Sequence, residues 1–166
     1  MSTVMQVEQV ARGPGRILTV HPQQTIVDAV RTMNQCEIGC LLVVDEREKI
    51  VGILTERDII SSVVGPSLDP ATTLVEAVMT RKVVACSRDT SLARAQQVMA
   101  DHSIRHLPII ENGRALGMIS SRDILAHQLA TVQAVARQQS RMLHELEHEH
   151  PGISHIVKDG SGRVVI

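Results

Sequence analysis

The sequence lacks large aromatic side chains: none of its 166 residues is phenylalanine, tyrosine or tryptophan. Proteins that bind RNA or single-stranded DNA commonly stack bases on aromatic rings. The formal net charge of −1 also shows no overall excess of basic residues that would favour a phosphate backbone. We therefore expect no nucleic-acid partner. Any nucleobase that binds this chain must be covered by aliphatic side chains.

Long apolar runs and a cysteine framework are also missing. No stretch approaches the roughly 20 apolar residues of a membrane span, and the N-terminus lacks the basic and apolar regions of a signal peptide. We therefore expect no membrane partner. The three cysteines, Cys36, Cys40 and Cys86, are an odd number that is typical of a reducing cytoplasm. Because Cys36 and Cys40 have no second pair to complete a zinc site, we expect no bound metal.

One short phrase occurs twice, about 65 residues apart: GILTERDI in the first half reappears as GMISSRDI in the second. Each copy runs from an apolar strand into a helix, with a hydroxyl residue and an aspartate three positions apart at the junction. Thr55 with Asp58, and Ser120 with Asp123, therefore share one face of a first helical turn, where they can hold a polyhydroxyl ligand such as ribose. Hydroxyl and acidic residues are also natural helix caps, so capping alone is the alternative interpretation.

The repetition extends beyond the phrase. Short apolar strands at 18–20 and 83–85 each precede a polar turn and a threonine, Thr25 or Thr90, which we predict to cap a helix. The helices that follow carry apolar residues at helical spacing. Two further strands and the repeated phrase complete a β-α-β-β-α unit of roughly 45 residues.

One such unit is too small to bury a core alone, so we expect two units packed sheet against sheet. The Gly/Pro-rich segment at 65–70 reads as a linker. The predicted boundaries are an N-terminal segment at 1–13, a first unit at 14–64, a linker at 65–73, a second unit at 74–126, a helical extension at 127–150 and a tail with a hairpin at 151–166.

In this order and in duplicate, the motifs resemble a tandem pair of cystathionine-beta-synthase (CBS) domains, also called a Bateman module. The resemblance covers about residues 14–126. It implies an α/β (α+β) fold with two β-α-β-β-α units in a pseudo-two-fold pair, followed here by a long C-terminal helix and a short tail. One departure is Leu42, which stands where Pro108 of the second unit shows the usual proline. The matching segments are 38–45, 51–58, 104–110 and 116–123.

The resemblance also implies two clefts, each of which binds an adenosine compound. The aspartate of one unit would bind ribose hydroxyls, and the first two strands of the other unit would hold the base. One cleft would use Thr55 and Asp58 with Val84, Ile104, Arg105, His106 and Pro108. The other would use Ser120 and Asp123 with Thr19, Val20, Ile38, Gly39 and Cys40.

The two clefts differ in charge. Arg105 and His106 occupy the place that Gly39 and Cys40 hold in the first unit. An arginine beside a cleft can bind phosphate oxygens, and Arg57 or Arg122 would assist at their respective clefts. We therefore expect the Arg105 cleft to favour the more phosphorylated ligand, unless Arg105 pairs with a neighbouring acid instead.

From residue 121 to about 150 the sequence contains neither glycine nor proline, which predicts one helix of roughly 28 residues. Its apolar positions alternate at spacings of four and three, as in a coiled coil. We expect a homodimer built by the CBS units and this helix, which also offers a surface to an unknown protein partner. Packing against its own units is the alternative. The seam comprises Leu125, Leu129, Val132, Ala136, Gln139, Leu143 and Leu146.

No nucleophile–base set is recognisable in the sequence, so we expect a regulatory module rather than an enzyme. The resemblance implies that AMP, ADP, ATP or S-adenosylmethionine acts as the regulatory ligand, with no cofactor required. A dimerisation or scaffold protein with vestigial clefts is the alternative function. Direct ligand binding distinguishes the two.

Overall fold

The computed structural model describes residues 6–11, 17–149, 157–158 and 164–165. The chain divides into two compact units, Met1–Ile124 and Leu125–Ile166. The first of these units contains both repeats, and each repeat contributes its own small sheet. The predicted α/β (α+β) architecture with a long C-terminal helix is confirmed.

The first repeat contains five elements: β1 (Thr19–Val20), α1 (Ile26–Cys36), β2 (Cys40–Val44), β3 (Ile50–Thr55) and α2 (Glu56–Ile59). Its strands form a sheet in the order β1-β2-β3. β1 is parallel to β2, and β2 is antiparallel to β3. α1 buries one face against this sheet. A short π-helical segment, Ile60–Val64, continues α2.

The second repeat contains α3 (Val75–Val78), α4 (Leu92–Asp101), β4 (His106–Glu111), β5 (Arg114–Ser120) and the start of α5 (Ser121–Glu149). β4 and β5 form an antiparallel pair. Asn112 and Gly113 join these strands, and their φ angles are positive, at 51° and 76°, as a tight type I′ hairpin turn requires.

The strand predicted at 83–85 is wrong. Only an isolated parallel bridge between Cys86 and Ile109 remains there. In the first repeat, the N–H of Leu42 donates to the carbonyl of Leu18 at 3.2 Å. Pro108 occupies the position of Leu42 and has no N–H to donate, so the second repeat cannot form this rung of the parallel ladder.

The helix caps also differ from the prediction in one place. Thr25 caps α1 as expected, because its hydroxyl accepts from the N–H of Asp28, and the hydrogen bonds from Thr25 hold the pKa of Asp28 below its ordinary value. Thr90 is not a cap. Ser91 caps α4, because its hydroxyl accepts from the N–H of Arg94 at 3.2 Å, whereas the hydroxyl of Thr90 accepts from the N–H of Ser87 at 3.2 Å.

Each repeat has its own buried core, and each core includes a segment from outside its predicted boundaries. Val75 and Val78 of α3 belong to the core of the first repeat, whereas the sequence grouped this helix with the second. Val7, from the short 3₁₀ helix Val7–Gln9, belongs to the core of the second repeat. Equivalent backbone bonds hold the two segments: Val75 donates to Gln24 and Val7 donates to Thr90, both at 2.9 Å. This exchange follows the expected pseudo-two-fold relation.

The chain leaving α3 runs along the edge of β3. Ile53 and Thr80 exchange two backbone hydrogen bonds, of 3.0 and 2.9 Å. Gly52 permits this approach, since a Cβ atom at that position would lie 2.7 Å from the Sδ of Met79 and 3.1 Å from the carbonyl oxygen of Thr80. The connection between the repeats is therefore an ordered part of the first sheet's edge.

The second compact unit begins within the long helix. α5 ends at Glu149, close to the predicted end, and His150 lies outside the described residues. In the tail, where the sequence predicts a hairpin, β6 (Val157–Lys158) pairs antiparallel with β7 (Val164–Val165). The predicted turn residues between them lie outside the described part of the chain. Within the described part, none of the helices combines the length and apolar character needed to cross a bilayer.

Replacing Gly52 with alanine should lower the free energy of unfolding by about 1–3 kcal/mol, the usual cost of forcing an extra methyl group into a packed contact. Because part of the clash is with the Met79 side chain, Gly52→Ala combined with Met79→Ala should cost less than the sum of the single substitutions. Urea unfolding of the wild type and the three variants measures this coupling. Strictly additive losses would contradict the close approach.

Candidate functional site

A cavity of about 340 Å³ opens where the two repeats meet. One wall is the junction between β3 and α2, a second is the segment that follows α3, and a third is the loop between α4 and β4. The cavity therefore joins elements that are far apart in the sequence. Its lining residues are Ile53, Thr55, Arg57, Asp58, Thr80, Lys82, Val84, His102, Ser103, Ile104, Arg105 and His106.

Seven residues predicted for the first cleft line this cavity: Thr55, Arg57, Asp58, Val84, Ile104, Arg105 and His106. Pro108 does not line it. Its side chain is fully buried in β4, and its carbonyl oxygen accepts from the N–H of Cys86 at 3.0 Å. We therefore reassign Pro108 from the cleft to the core.

The strand-to-helix junction holds Asp58 in a fixed orientation. Thr55 is the extended last residue of β3 and caps α2, accepting from the N–H of Asp58 at 3.2 Å. In return, Oδ2 of Asp58 accepts from the N–H of Thr55 at 2.8 Å and from its hydroxyl at 2.6 Å. The predicted capping geometry is present. It leaves the other carboxylate oxygen, Oδ1, available for further contacts.

Oδ1 of Asp58 contacts a residue that sequence reasoning missed. The hydroxyl of Thr80 donates to it at 3.2 Å. Thr80 reaches this position because its backbone pairs with Ile53, two residues before Thr55. The signal in the sequence was Gly52, since a glycine inside a strand often marks the close approach of another backbone.

The cavity is cationic. Arg57, Lys82 and Arg105 line it, and among the described residues Asp58 is the only carboxylate in the lining. Arg57 extends across to the other repeat, where its Nη1 donates to the carbonyl oxygen of Ser103 at 3.2 Å. Over the described ranges, the side chains of Lys82 and Arg105 have no ion-pair partner, so the alternative that Arg105 pairs with a neighbouring acid finds no support there.

Aliphatic side chains complete the lining. Ile53 is buried, and Val84 and Ile104 are half-buried from opposite segments of the second repeat. These side chains provide apolar surfaces against which a planar base can pack, beside the imidazole rings of His102 and His106. The cavity thus combines apolar walls, one oriented carboxylate and three cations. Lys82, His102 and Ser103 are further lining residues that the sequence did not reveal.

The second predicted cleft repeats the capping geometry. Oδ2 of Asp123 accepts from the N–H of Ser120 at 2.9 Å, and the hydroxyl of Ser120 accepts from the N–H of Asp123 at 3.2 Å. Arg122, between them in the first turn of α5, is exposed. This half of the cleft therefore matches the Thr55–Asp58 junction in detail.

The opposite half of the second cleft differs. The side chains of Val20 and Cys40 are buried in the core, so only their backbones remain for a ligand. Thr19 is exposed, and Ile38 is half-buried. Residues 12–16, which precede β1, lie outside the described residues.

Beside the second cleft, Gly39 and the neighbouring acid Glu56 stand where the first cavity has the cation Arg105. A Cβ atom at Gly39 would lie 2.9 Å from the Oε2 of Glu56, and the N–H of Glu56 donates to the Gly39 carbonyl at 3.1 Å. In the other repeat, Arg105 accepts the equivalent backbone bond from Ser121 at 3.0 Å. The neutral glycine and its acidic neighbour thus replace an arginine and a serine, which makes the two clefts electrostatically unequal.

Comparison with known proteins gives a consistent result. The family model described as CBS domain matches residues 8–65 and 75–130. The chain is 36% identical over 110 residues to an uncharacterised 17.7 kDa protein of Acidianus ambivalens, a match covering 66% of this chain and 65% of that protein. Several plant relatives are matched over only about a quarter to a half of their length.

Two solved structures extend the comparison. A Burkholderia ambifaria protein, described as a candidate signal-transduction protein with CBS domains, superposes with a TM-score of 0.71 at 35% identity, covering 76% of this chain and 95% of that one. A hexameric CBS-CP12 protein from bloom-forming cyanobacteria gives a TM-score of 0.68 at 28% identity, covering 74% and 70%. Relatives with this fold thus include an oligomeric protein.

Proposed function

The chain belongs to the CBS-domain family, and we propose that it is a non-catalytic regulatory module that binds an adenosine nucleotide in the cavity between its repeats. The observation that carries this proposal is the composition of that cavity. Asp58, held by Thr55, faces the same space as Arg57, Lys82 and Arg105. A carboxylate oriented toward ribose and cations placed for phosphate match the two polar parts of a nucleotide.

The charge of the lining favours phosphorylated ligands over S-adenosylmethionine. Three cationic side chains against one carboxylate create a positive potential inside a partly enclosed space. Such a space concentrates anions and disfavours a sulfonium cation. Among the ligands that the sequence left open, this supports AMP, ADP and ATP.

A regulatory role rather than catalysis is supported by the hydrogen bonds of two of the three threonine and serine hydroxyls that line the cavity. Thr55 and Thr80 both donate to Asp58, so neither is paired with a histidine base. One structural relative is also described as a candidate signal-transduction protein. We also propose a cytoplasmic location, because three cysteines without a disulfide framework suit a reducing compartment.

Arg105→Ala should weaken ATP binding about tenfold while leaving adenosine binding unchanged, since a hydrogen bond to a charged group contributes roughly 1.5–3 kcal/mol before screening. The loss should shrink as salt is added, because Arg105 is exposed and its charge is screened. Isothermal titration calorimetry with ATP, AMP and adenosine measures all three affinities. Arg114→Ala is the matched control, since Arg114 is an exposed arginine of the β4–β5 hairpin outside the cavity.

Equal losses for ATP and adenosine, or an effect of Arg114→Ala as large as that of Arg105→Ala, would contradict the phosphate assignment. If the wild type binds none of these compounds, the alternative function remains, a dimerisation or scaffold protein with vestigial clefts.

We also propose that the chain forms a homodimer, because large apolar side chains are exposed at corresponding positions of the two repeats. Ile60 and Val64 follow α2 with exposures of 61% and 65%. At the corresponding positions of α5, Leu125 and Leu129 are 65% and 56% exposed. Exposed large apolar side chains of this kind favour an interaction site, and a second copy presents the same residues.

The exposed stripe continues along α5 through Val132 and Leu143, in the coiled-coil spacing. The helix starts at the Ser120–Asp123 junction, so a ligand at that junction would act directly on its first turn. We propose that occupancy is transmitted along α5 to the second copy or to a protein partner.

Leu129→Glu with Leu143→Glu should weaken the dimer by at least tenfold, because the charges would face each other across the seam, and should leave the two repeats folded. Light scattering after size exclusion at micromolar concentration measures the assembly. Ala130→Glu with Ala134→Glu adds the same charges at exposed positions away from the seam and should have little effect. A monomeric wild type would contradict the assembly proposal.

A further inference from the structure

Asp58 alone has too few free hydrogen-bond acceptor positions to bind both hydroxyls of a ribose diol. An ionised carboxylate offers about four acceptor positions, two on each oxygen. Oδ2 of Asp58 uses both, accepting from the N–H and the hydroxyl of Thr55. Oδ1 uses one for the hydroxyl of Thr80. About one position remains, whereas the two hydroxyls of a ribose diol bring two donors.

Thr80 supplies the missing acceptor. A threonine hydroxyl has one hydrogen and two lone pairs. The Thr80 hydroxyl gives its hydrogen to Asp58, so its lone pairs are oriented away from the carboxylate and can accept. Thr80 is exposed and lines the cavity beside Asp58, so its oxygen is open to a ligand.

We infer that the ribose diol is recognised by Asp58 and Thr80 together: one ribose hydroxyl donates to Oδ1 of Asp58 and the other donates to Oγ1 of Thr80. Thr80 is then a specificity-determining residue of the cavity. This inference rests on the proposed nucleotide function and deepens it, because it assigns one of the two ribose hydroxyls to a residue outside the repeated phrase.

The backbone around Thr80 is built to hold this geometry. Two hydrogen bonds pair Thr80 with Ile53, and Met79 beside it is buried in the core of the first repeat. Gly52 provides the space for this segment. The Thr80 side chain is therefore fixed relative to the Thr55–Asp58 junction before any ligand arrives, which lowers the cost of ordering the site on binding.

A ligand-binding role of Thr80 can be distinguished experimentally from a purely structural role. If Thr80 only orients Asp58, its loss weakens every nucleotide by the same factor. If Thr80 also accepts from one ribose hydroxyl, its loss abolishes the discrimination against the nucleotide that lacks that particular hydroxyl. The ratio of affinities, and not the affinity itself, separates the two roles.

The test compares ATP, 2′-deoxy-ATP and 3′-deoxy-ATP by isothermal titration calorimetry on the full chain. The wild type should bind each deoxynucleotide roughly two- to tenfold more weakly than ATP, the size of one hydrogen bond. In Thr80→Val, one of these two penalties should disappear and the other should remain. The valine methyl group takes the place of the hydroxyl and covers the same acceptor position on Asp58. Thr80→Ser keeps the hydroxyl and should retain both penalties.

The results distinguish a failure of the Thr80 assignment from a failure of the proposed nucleotide binding. Unchanged ratios in Thr80→Val, an equal loss for all three nucleotides, or a wild type that does not discriminate against deoxynucleotides would each overturn the Thr80 assignment while nucleotide binding stands. If the wild type does not bind ATP, the proposed function fails and the assignment fails with it. Circular dichroism of both variants confirms that the fold is retained.

Discussion

The backbone pairing of Ile53 with Thr80 is the contact on which the rest of the site depends. It attaches the connection between the repeats to the edge of β3, and it does so only because Gly52 leaves room for that connection. Thr80 is thereby brought against Asp58, and Lys82, two residues later, enters the cavity. Without this pairing, the Thr55–Asp58 junction would be an ordinary helix cap on an isolated sheet.

The local parts of the fold were predictable because they depend on neighbouring residues. The hydroxyl and the aspartate of each phrase form the expected capping contacts, and the absence of glycine and proline after Ser121 corresponds to a helix of 29 residues. The cavity residues close to these motifs in sequence, or matched to the family pattern, also lie where expected. Local hydrogen bonding and helix propensity decide these features, and both can be read from a short window.

The sequence-based predictions were wrong where a contact between residues far apart in the chain determines the local structure. Pro108 removes a hydrogen bond that the strand at 83–85 would have needed, yet the two segments are far apart in the chain. Thr80 joins the site through pairing with a strand of the other repeat, and the packing of α3 on the first core has the same origin. A sequence pattern contains no direct record of such pairings.

The two repeats show how a symmetric fold acquires unequal sites. Their capping junctions are nearly identical, but Arg105 stands on one side where Gly39 and its neighbour Glu56 stand on the other. We therefore expect charge in the facing loops, rather than the repeated phrase, to decide which cleft attracts phosphate. The cationic cavity is the one whose geometry is complete among the described residues, and we propose that the nucleotide binds there.

Methyl NMR of isotope-labelled isoleucine during titration with ATP tests this placement most directly. Ile53 and Ile104 line the cationic cavity, Ile38 belongs to the second predicted cleft, and Ile26 is buried in the first core. We expect saturable changes in the methyl chemical shifts of Ile53 and Ile104, smaller changes for Ile38 and none for Ile26. Changes confined to Ile38, or no saturable change at any of these methyl groups, would contradict it.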